Sequence, residues 1–156
     1  MMNQKRLAML EFFDGQGRKV PDLEQMVFQW KRDHPEGAIY IGADSKVWGE
    51  RVKYATVVCL WDVGRGVKEL YRNEYAPKPK DSFTRLWTEV TKAVEVAEAL
   101  RELGEITVHV DINENPKYRS HALYDASMGF ITSLGFKAAG KPFAWAASCG
   151  AHRHCQ

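Results

Sequence analysis

Residues 54–61 (Tyr-Ala-Thr-Val-Val-Cys-Leu-Trp) are apolar throughout except for Thr56. The run is short, bounded and rich in β-branched side chains, which reads as a strand rather than a helix. Side chains of successive strand residues point to opposite faces, so an apolar residue at nearly every position demands cover on both sides. The chain therefore has to build a sheet with packed layers above and below it. An open sheet with one wet face is excluded.

The flanking segments say how that sheet is assembled. Residues 38–44 form a second apolar strand that stays apolar until Asp44, and residues 67–75, after the turn signal Gly64-Arg65-Gly66, alternate as a half-exposed strand does. These three strands make an antiparallel meander. A long helix follows, capped by Asp81 or Ser82 and ended by Gly104, with Phe83, Leu86, Trp87, Val90, Val94, Ala97 and Leu100 as its apolar stripe. Residues 106–112 form a strong strand, Asn115-Pro116 breaks it, and a helix runs from about 120 to 134 up to Gly135. Residues 136–139 read as a short strand, and Pro142 opens a final helical stretch through Ala144-Trp145-Ala146-Ala147. Upstream, residues 5–13 and 22–34 read as helices, giving an N-terminal helical extension over 1–37 that packs on a domain spanning 38–156. A meander followed by right-handed crossover units predicts an α/β fold: a mixed five-stranded sheet, its later strands parallel, with helices on both faces.

Composition narrows the class. At 156 residues, 45% hydrophobic and 27% charged, the chain fits one ordinary globular domain. No apolar run reaches the roughly 20 residues of a membrane span, and the start Met1-Met2-Asn3-Gln4-Lys5-Arg6 leads into too short an apolar patch to predict a secretory signal. Three cysteines, Cys59, Cys149 and Cys155, are an odd number without framework spacing, which points to a reducing cytoplasm. A net charge of +2, from 22 Lys and Arg against 20 Asp and Glu, neither demands nor excludes a nucleic-acid partner.

The chemistry rests on carboxylates. Asp44 and Asp111 each sit where an apolar strand ends, on strands that this topology makes parallel neighbours. Their carboxyl ends then meet at the crevice where open α/β sheets bind ligands. Two adjacent carboxylates repel unless a cation joins them, and oxygen donors select Mg²⁺ or Mn²⁺. Glu89 lies among Leu86, Ala93, Val96 and Leu100, on the shoulder of the apolar sector of its helix, where a carboxylate needs a partner. That partner is either a metal held with Asp44 and Asp111 or a salt bridge to Arg85 or Lys92. Lys46, Lys117 and Arg119 lie near the aspartates in sequence, as phosphate contacts or as solvated surface charges.

These residues resemble the carboxylate set of ribonuclease H-like nucleases. The likeness is carried by Ile41-Gly42-Ala43-Asp44-Ser45, Leu86-Trp87 with Glu89-Val90, Val110-Asp111-Ile112-Asn113, Asn115-Pro116-Lys117-Tyr118 and Ala144-Trp145-Ala146-Ala147-Ser148. Within that superfamily the chain is most similar to the bacterial YkuK-like group. The resemblance implies a nuclease cutting RNA or an RNA–DNA hybrid with two divalent ions, Mg²⁺ or Mn²⁺, held by Asp44, Glu89 and Asp111. It further implies that Ser45, Lys46, Asn113 and Lys117 line the substrate, and it leaves a second outcome, a nucleic-acid or protein binding module with a weakened site.

The tail departs from the family pattern. Such enzymes place a fourth acidic residue on the last helix, whereas Ala151-His152-Arg153-His154-Cys155 has none. His152 is expected in that place, as a ligand or proton carrier, with His154 beside it. A rival reading groups Cys149, His152, His154 and Cys155 as a structural zinc site, although their spacing matches no common zinc module.

Overall fold

The computed structural model describes residues 11–156. Its elements run β1 (Phe12–Asp14), β2 (Lys19–Val20), α1 (Leu23–Asp33), β3 (Ala38–Trp48), β4 (Arg51–Trp61) and β5 (Val67–Pro77). They continue with α2 (Ser82–Ala99), β6 (Ile106–Asn113), α3 (Tyr124–Ser133), β7 (Lys137–Lys141) and α4 (His152–Cys155), the last entered through a π-helical stretch, Ala146–Ala151. The sheet order is β2-β1-β5-β4-β3-β6-β7. The meander β3-β4-β5 is antiparallel, and β3 pairs in parallel with β6, as does β6 with β7.

The sheet therefore has seven strands, not five. The two additions are the short hairpin β1-β2, which pairs antiparallel with β5 at the edge of the sheet. The helix expected over 5–13 falls mostly outside the described residues, and its end is strand β1. Asp14 makes this turn, with its Oδ1 accepting from the backbone N–H groups of Gln16 and Arg18 at 2.9 Å. A three-residue strand is too short to show a period, so nothing in the apolar pattern could separate it from a helix.

Both faces of the sheet are covered. On one, Leu23 and Val27 of α1 and Val90, Ala93, Val94 and Ala97 of α2 pack against Ile39, Ile41, Ile106 and Val108. On the other, Ala55, Val57 and Cys59 of β4 meet Ala146, Ala151 and Cys155. All eight residues of the opening run except Trp61 are buried, as a strand sandwiched between layers must be.

Gly42 admits the second layer. A Cβ there would lie 2.5 Å from the backbone N of Ala147 and 2.6 Å from the carbonyl carbon of Ala146, so only glycine lets the C-terminal helix approach β3 this closely. We expect Gly42→Ala to lower stability by about 1–3 kcal/mol, since backbone cannot step aside. Thermal unfolding of the purified variant measures this, and an unchanged midpoint would mean that the helix does not sit where it is described.

Candidate active site

The parallel ladder between β3 and β6 ends at Gly42 opposite His109, two residues short of Asp44 and Asp111. Both aspartates thus lie just beyond that ladder, where β3 and β6 part, with Asp44 still paired to Ala55 of β4 as β3 runs on to Trp48. A register shift between β6 and β7, from His109 to Asn113, bulges β6 at this point and swings Asp111 out of the ladder. Glu89 arrives from α2, 3% exposed, and Asp44 is 6% exposed. One carboxylate oxygen from each of Asp44, Glu89 and Asp111 lies within 4.8 Å of the others.

Alternation along β3 divides the neighbours of the cluster. Asp44 faces the C-terminal helix, where its Oδ2 lies 2.8 Å from His152 Nδ1. Ser45 faces α2, where its Oγ donates to Glu89 Oε2 and receives a hydrogen bond from Arg85 Nη1 at 2.8 Å. Arg85 also stands 3.5 Å from Glu89 Oε2, whereas Lys92 pairs with Glu74 at 3.0 Å. Of the two salt-bridge partners expected for Glu89, Arg85 is therefore present and Lys92 is not. Glu89 Oε1 remains, buried and without a hydrogen-bond partner among the described residues.

Electrostatics follow from this crowding. Burial, and then the negative charge of Asp44, push the Glu89 carboxyl well above its ordinary range, and Asp111 adds to the effect. Burial and the charge of Asp111 likewise raise Asp44, against opposing hydrogen bonds from the Ser45 N–H and His152. Lys141 Nζ sits 2.6 Å from Asp111 Oδ1. Partial burial pulls Lys141 down, but the hydrogen bond and charge of Asp111, with Asp44 and Glu89 behind it, outweigh that and hold its ammonium above the usual value.

His109 was legible only as a strand residue, yet it fixes the site from behind. Burial lowers its imidazole to about 4, so it is neutral, and its Nδ1 accepts the Ala146 N–H at 3.0 Å. That bond registers the π-helical stretch leading to His152 against β6. Tyr40 and Trp145 pack around the same ring, with centroids 5.3 and 5.2 Å away.

The expected substrate residues fare unevenly. Ser45 alone bonds to a carboxylate of the cluster. Lys46 Nζ donates to Gln156 Oε1 at 3.0 Å, Asn113 Oδ1 accepts from the Asn115 N–H at 2.9 Å to close a turn, and Lys117 lies over the Tyr118 ring. The four-residue zinc grouping does not assemble. His154 stacks on Tyr71 with centroids 3.9 Å apart and reaches Glu69 at 3.3 Å, away from His152, while the side chain of Cys149 lies outside the described residues. His154 is thereby also removed from the carboxylates.

A cleft adjoins the cluster, and of its lining residues sequence reasoning singled out only Arg119 as a phosphate contact. Lys78, Lys80, Arg85 and Arg119, with Asp81 and Ser82, line this cleft of about 370 Å³ at the start of α2. Three of these cations lie in the segment from Lys78 to Arg85, and Arg85 links the cleft to Ser45 and Glu89. No helix among the described residues is long and apolar enough to cross a membrane.

No curated protein sequence matches the chain. The family model for Ribonuclease H-like proteins matches residues 23–156, beginning at the first residue of α1 and so taking in more of the chain than the motifs from 38 onward. With that match spanning the meander, the crossover strands and all three clustered carboxylates, the chain belongs to the ribonuclease H-like family.

Proposed function

We propose that the protein is a divalent-metal-dependent nuclease that hydrolyses phosphodiester bonds of RNA or an RNA–DNA hybrid. Family membership supports the broader class, nucleases and nucleic-acid binders. The finer reading is carried by one observation: three carboxylates from three elements converge within 4.8 Å, and the most buried of them keeps an unpaired oxygen. An all-oxygen donor set with excess negative charge and an unsatisfied buried lone pair fits Mg²⁺ or Mn²⁺. Asp44, Glu89 and Asp111 would hold the metal. Bound divalent ions supply charge neutralisation at phosphorus and activation of water for in-line attack.

The protein's own groups prepare that site. Ser45 and Arg85 fix Glu89 Oε2, which leaves Oε1 buried and free of hydrogen-bond partners among the described residues. Asp44 holds the His152 imidazole, 58% exposed, at the mouth of the site, where a proton can pass to or from the leaving oxygen. The cations of the adjoining cleft are placed to hold a phosphate backbone. They serve this better than Lys46, Asn113 or Lys117, whose side chains are engaged elsewhere.

A second reading, a binding module of the same fold, draws on Lys141. Its ammonium already supplies one positive charge to Asp111, and the C-terminal helix brings His152 where the family pattern has a carboxylate. Incubation with single-stranded RNA, an RNA–DNA hybrid and DNA, in Mg²⁺, Mn²⁺ or EDTA, separates the two. The nuclease reading expects cleavage that EDTA abolishes, leaving 5′-phosphate and 3′-hydroxyl ends. Retained binding with no cleavage in any divalent ion favours the module.

A further inference from the structure

Asp44 and His152 also belong to a second cluster, completed by Cys155, which the nuclease reading does not use. A carboxylate oxygen of Asp44, a ring nitrogen of His152 and the Cys155 Sγ all lie within 4.8 Å of one another. The donors differ in kind from those of the carboxylate set: one oxygen, one imidazole nitrogen and one sulfur. His152 and Cys155 stand three residues apart on α4, so one turn of helix presents both to β3. The turn is held firmly. Arg153 pairs with Glu69, His154 stacks on Tyr71, and Lys46 and Lys53 donate to Gln156 at 3.0 and 3.2 Å.

From this geometry we infer that Asp44, His152 and Cys155 form a binding site for a borderline-soft divalent cation of the Zn²⁺ class. Hard ions such as Mg²⁺ gain nothing from sulfur, whereas Zn²⁺ and Co²⁺ favour thiolate with imidazole and carboxylate. Three protein ligands with an open fourth position is the arrangement of a tetrahedral zinc site that keeps a water or exchanges a ligand. The His152 side chain, 58% exposed, opens the cluster to solvent, while Cys155 and Asp44 are buried. On binding, the thiol proton leaves to solvent and the Sγ–metal bond forms, with no change of oxidation state.

Because Asp44 serves both clusters, the two sites are antagonistic. An ion held by Cys155 and His152 draws on the carboxylate that the oxygen-only set needs, so zinc is an inhibitor of any activity supported by Mg²⁺. This antagonism rests on the nuclease reading; the soft site itself does not.

Co²⁺ titration of the full chain tests the site without an activity assay. The wild type is expected to develop a near-ultraviolet thiolate-to-cobalt charge-transfer band that saturates at one equivalent and is erased by Zn²⁺. Cys155→Ser should lose the band, and His152→Ala should weaken Co²⁺ binding by more than about tenfold. Glu89→Gln should keep the band while losing Mn²⁺ binding at the carboxylate set, which separates failure of one site from failure of the other. Cys155 is buried, so its variant is first compared with the wild type by near-ultraviolet circular dichroism. If it does not fold, the exposed His152→Ala decides alone. A wild type without the band, a band undiminished in folded Cys155→Ser, or unaltered Co²⁺ affinity in His152→Ala would each overturn the inference.

Discussion

Asp111→Asn is expected to lower divalent-dependent cleavage by roughly 10³-fold or more, because a carboxylate shared by metal ions contributes several kcal/mol to the transition state. The substitution keeps the shape of the side chain and removes only its charge. Folding should be nearly unaffected, since the pair it breaks with Lys141, itself 40% exposed, is worth at most about 1 kcal/mol. Lys141 provides the complementary variant. Its ammonium competes with a cation for the same Asp111 oxygen, so Lys141→Gln should move half-maximal activity to lower Mg²⁺. Rates for both variants over a Mg²⁺ series check the pair of predictions. An undiminished rate in Asp111→Asn would locate the nuclease outside this site and favour the binding-module reading.

The contrast between Asp111 and Lys141 shows what was legible in the sequence and what was not. Asp44 and Asp111 announce themselves because each interrupts the apolar run of a strand, although β3 continues to Trp48 and β6 to Asn113, and strand order alone brings parallel neighbours together. Glu89 stands out because it breaks an apolar helical face. Those signals are periodic, and periodicity survives in one dimension. Lys141 ends β7 and meets Asp111 only because of the bulge between His109 and Asn113, which no pattern of apolar residues encodes. Arg85 reads as an ordinary helix cation until Ser45 is seen between it and Glu89. His109 sits in a strand motif, and its bond to the Ala146 N–H depends on a helix that arrives from 37 residues later. The edge hairpin escaped notice for another reason: strands of three and two residues are too short to show a period.

The charge of Glu89 yields the other large effect, and it changes sign with metal. In the metal-free protein Glu89 and Asp44 both titrate above their ordinary range, through burial first and repulsion by a neighbouring aspartate second, Asp44 for Glu89 and Asp111 for Asp44. An acid raised in this way binds its proton more tightly folded than unfolded. Its contribution is fully present below the unfolded value, about 4.3 for Glu, and is lost as pH climbs toward the raised value. Metal-free protein should therefore lose stability from about pH 4.3 upward, and divalent ions should restore it most at neutral pH. Glu89→Gln keeps the side chain volume, lets the amide donate toward the aspartates, and removes the buried charge. At pH 7 in EDTA it should raise stability by about 1–3 kcal/mol, the cost of an unsatisfied buried group. In saturating Mn²⁺ it should instead fall below the wild type, which gains about 2.7 kcal/mol at one hundred times the dissociation constant. Thermal unfolding at pH 5 and 7, with EDTA or Mn²⁺, reads all four conditions. A Glu89 held only by Arg85 and Ser45 as a structural ion pair would behave differently, since the substitution would then destabilise the protein equally with and without metal. That outcome would remove Glu89 from the metal set and leave Asp44 and Asp111 as its only carboxylates.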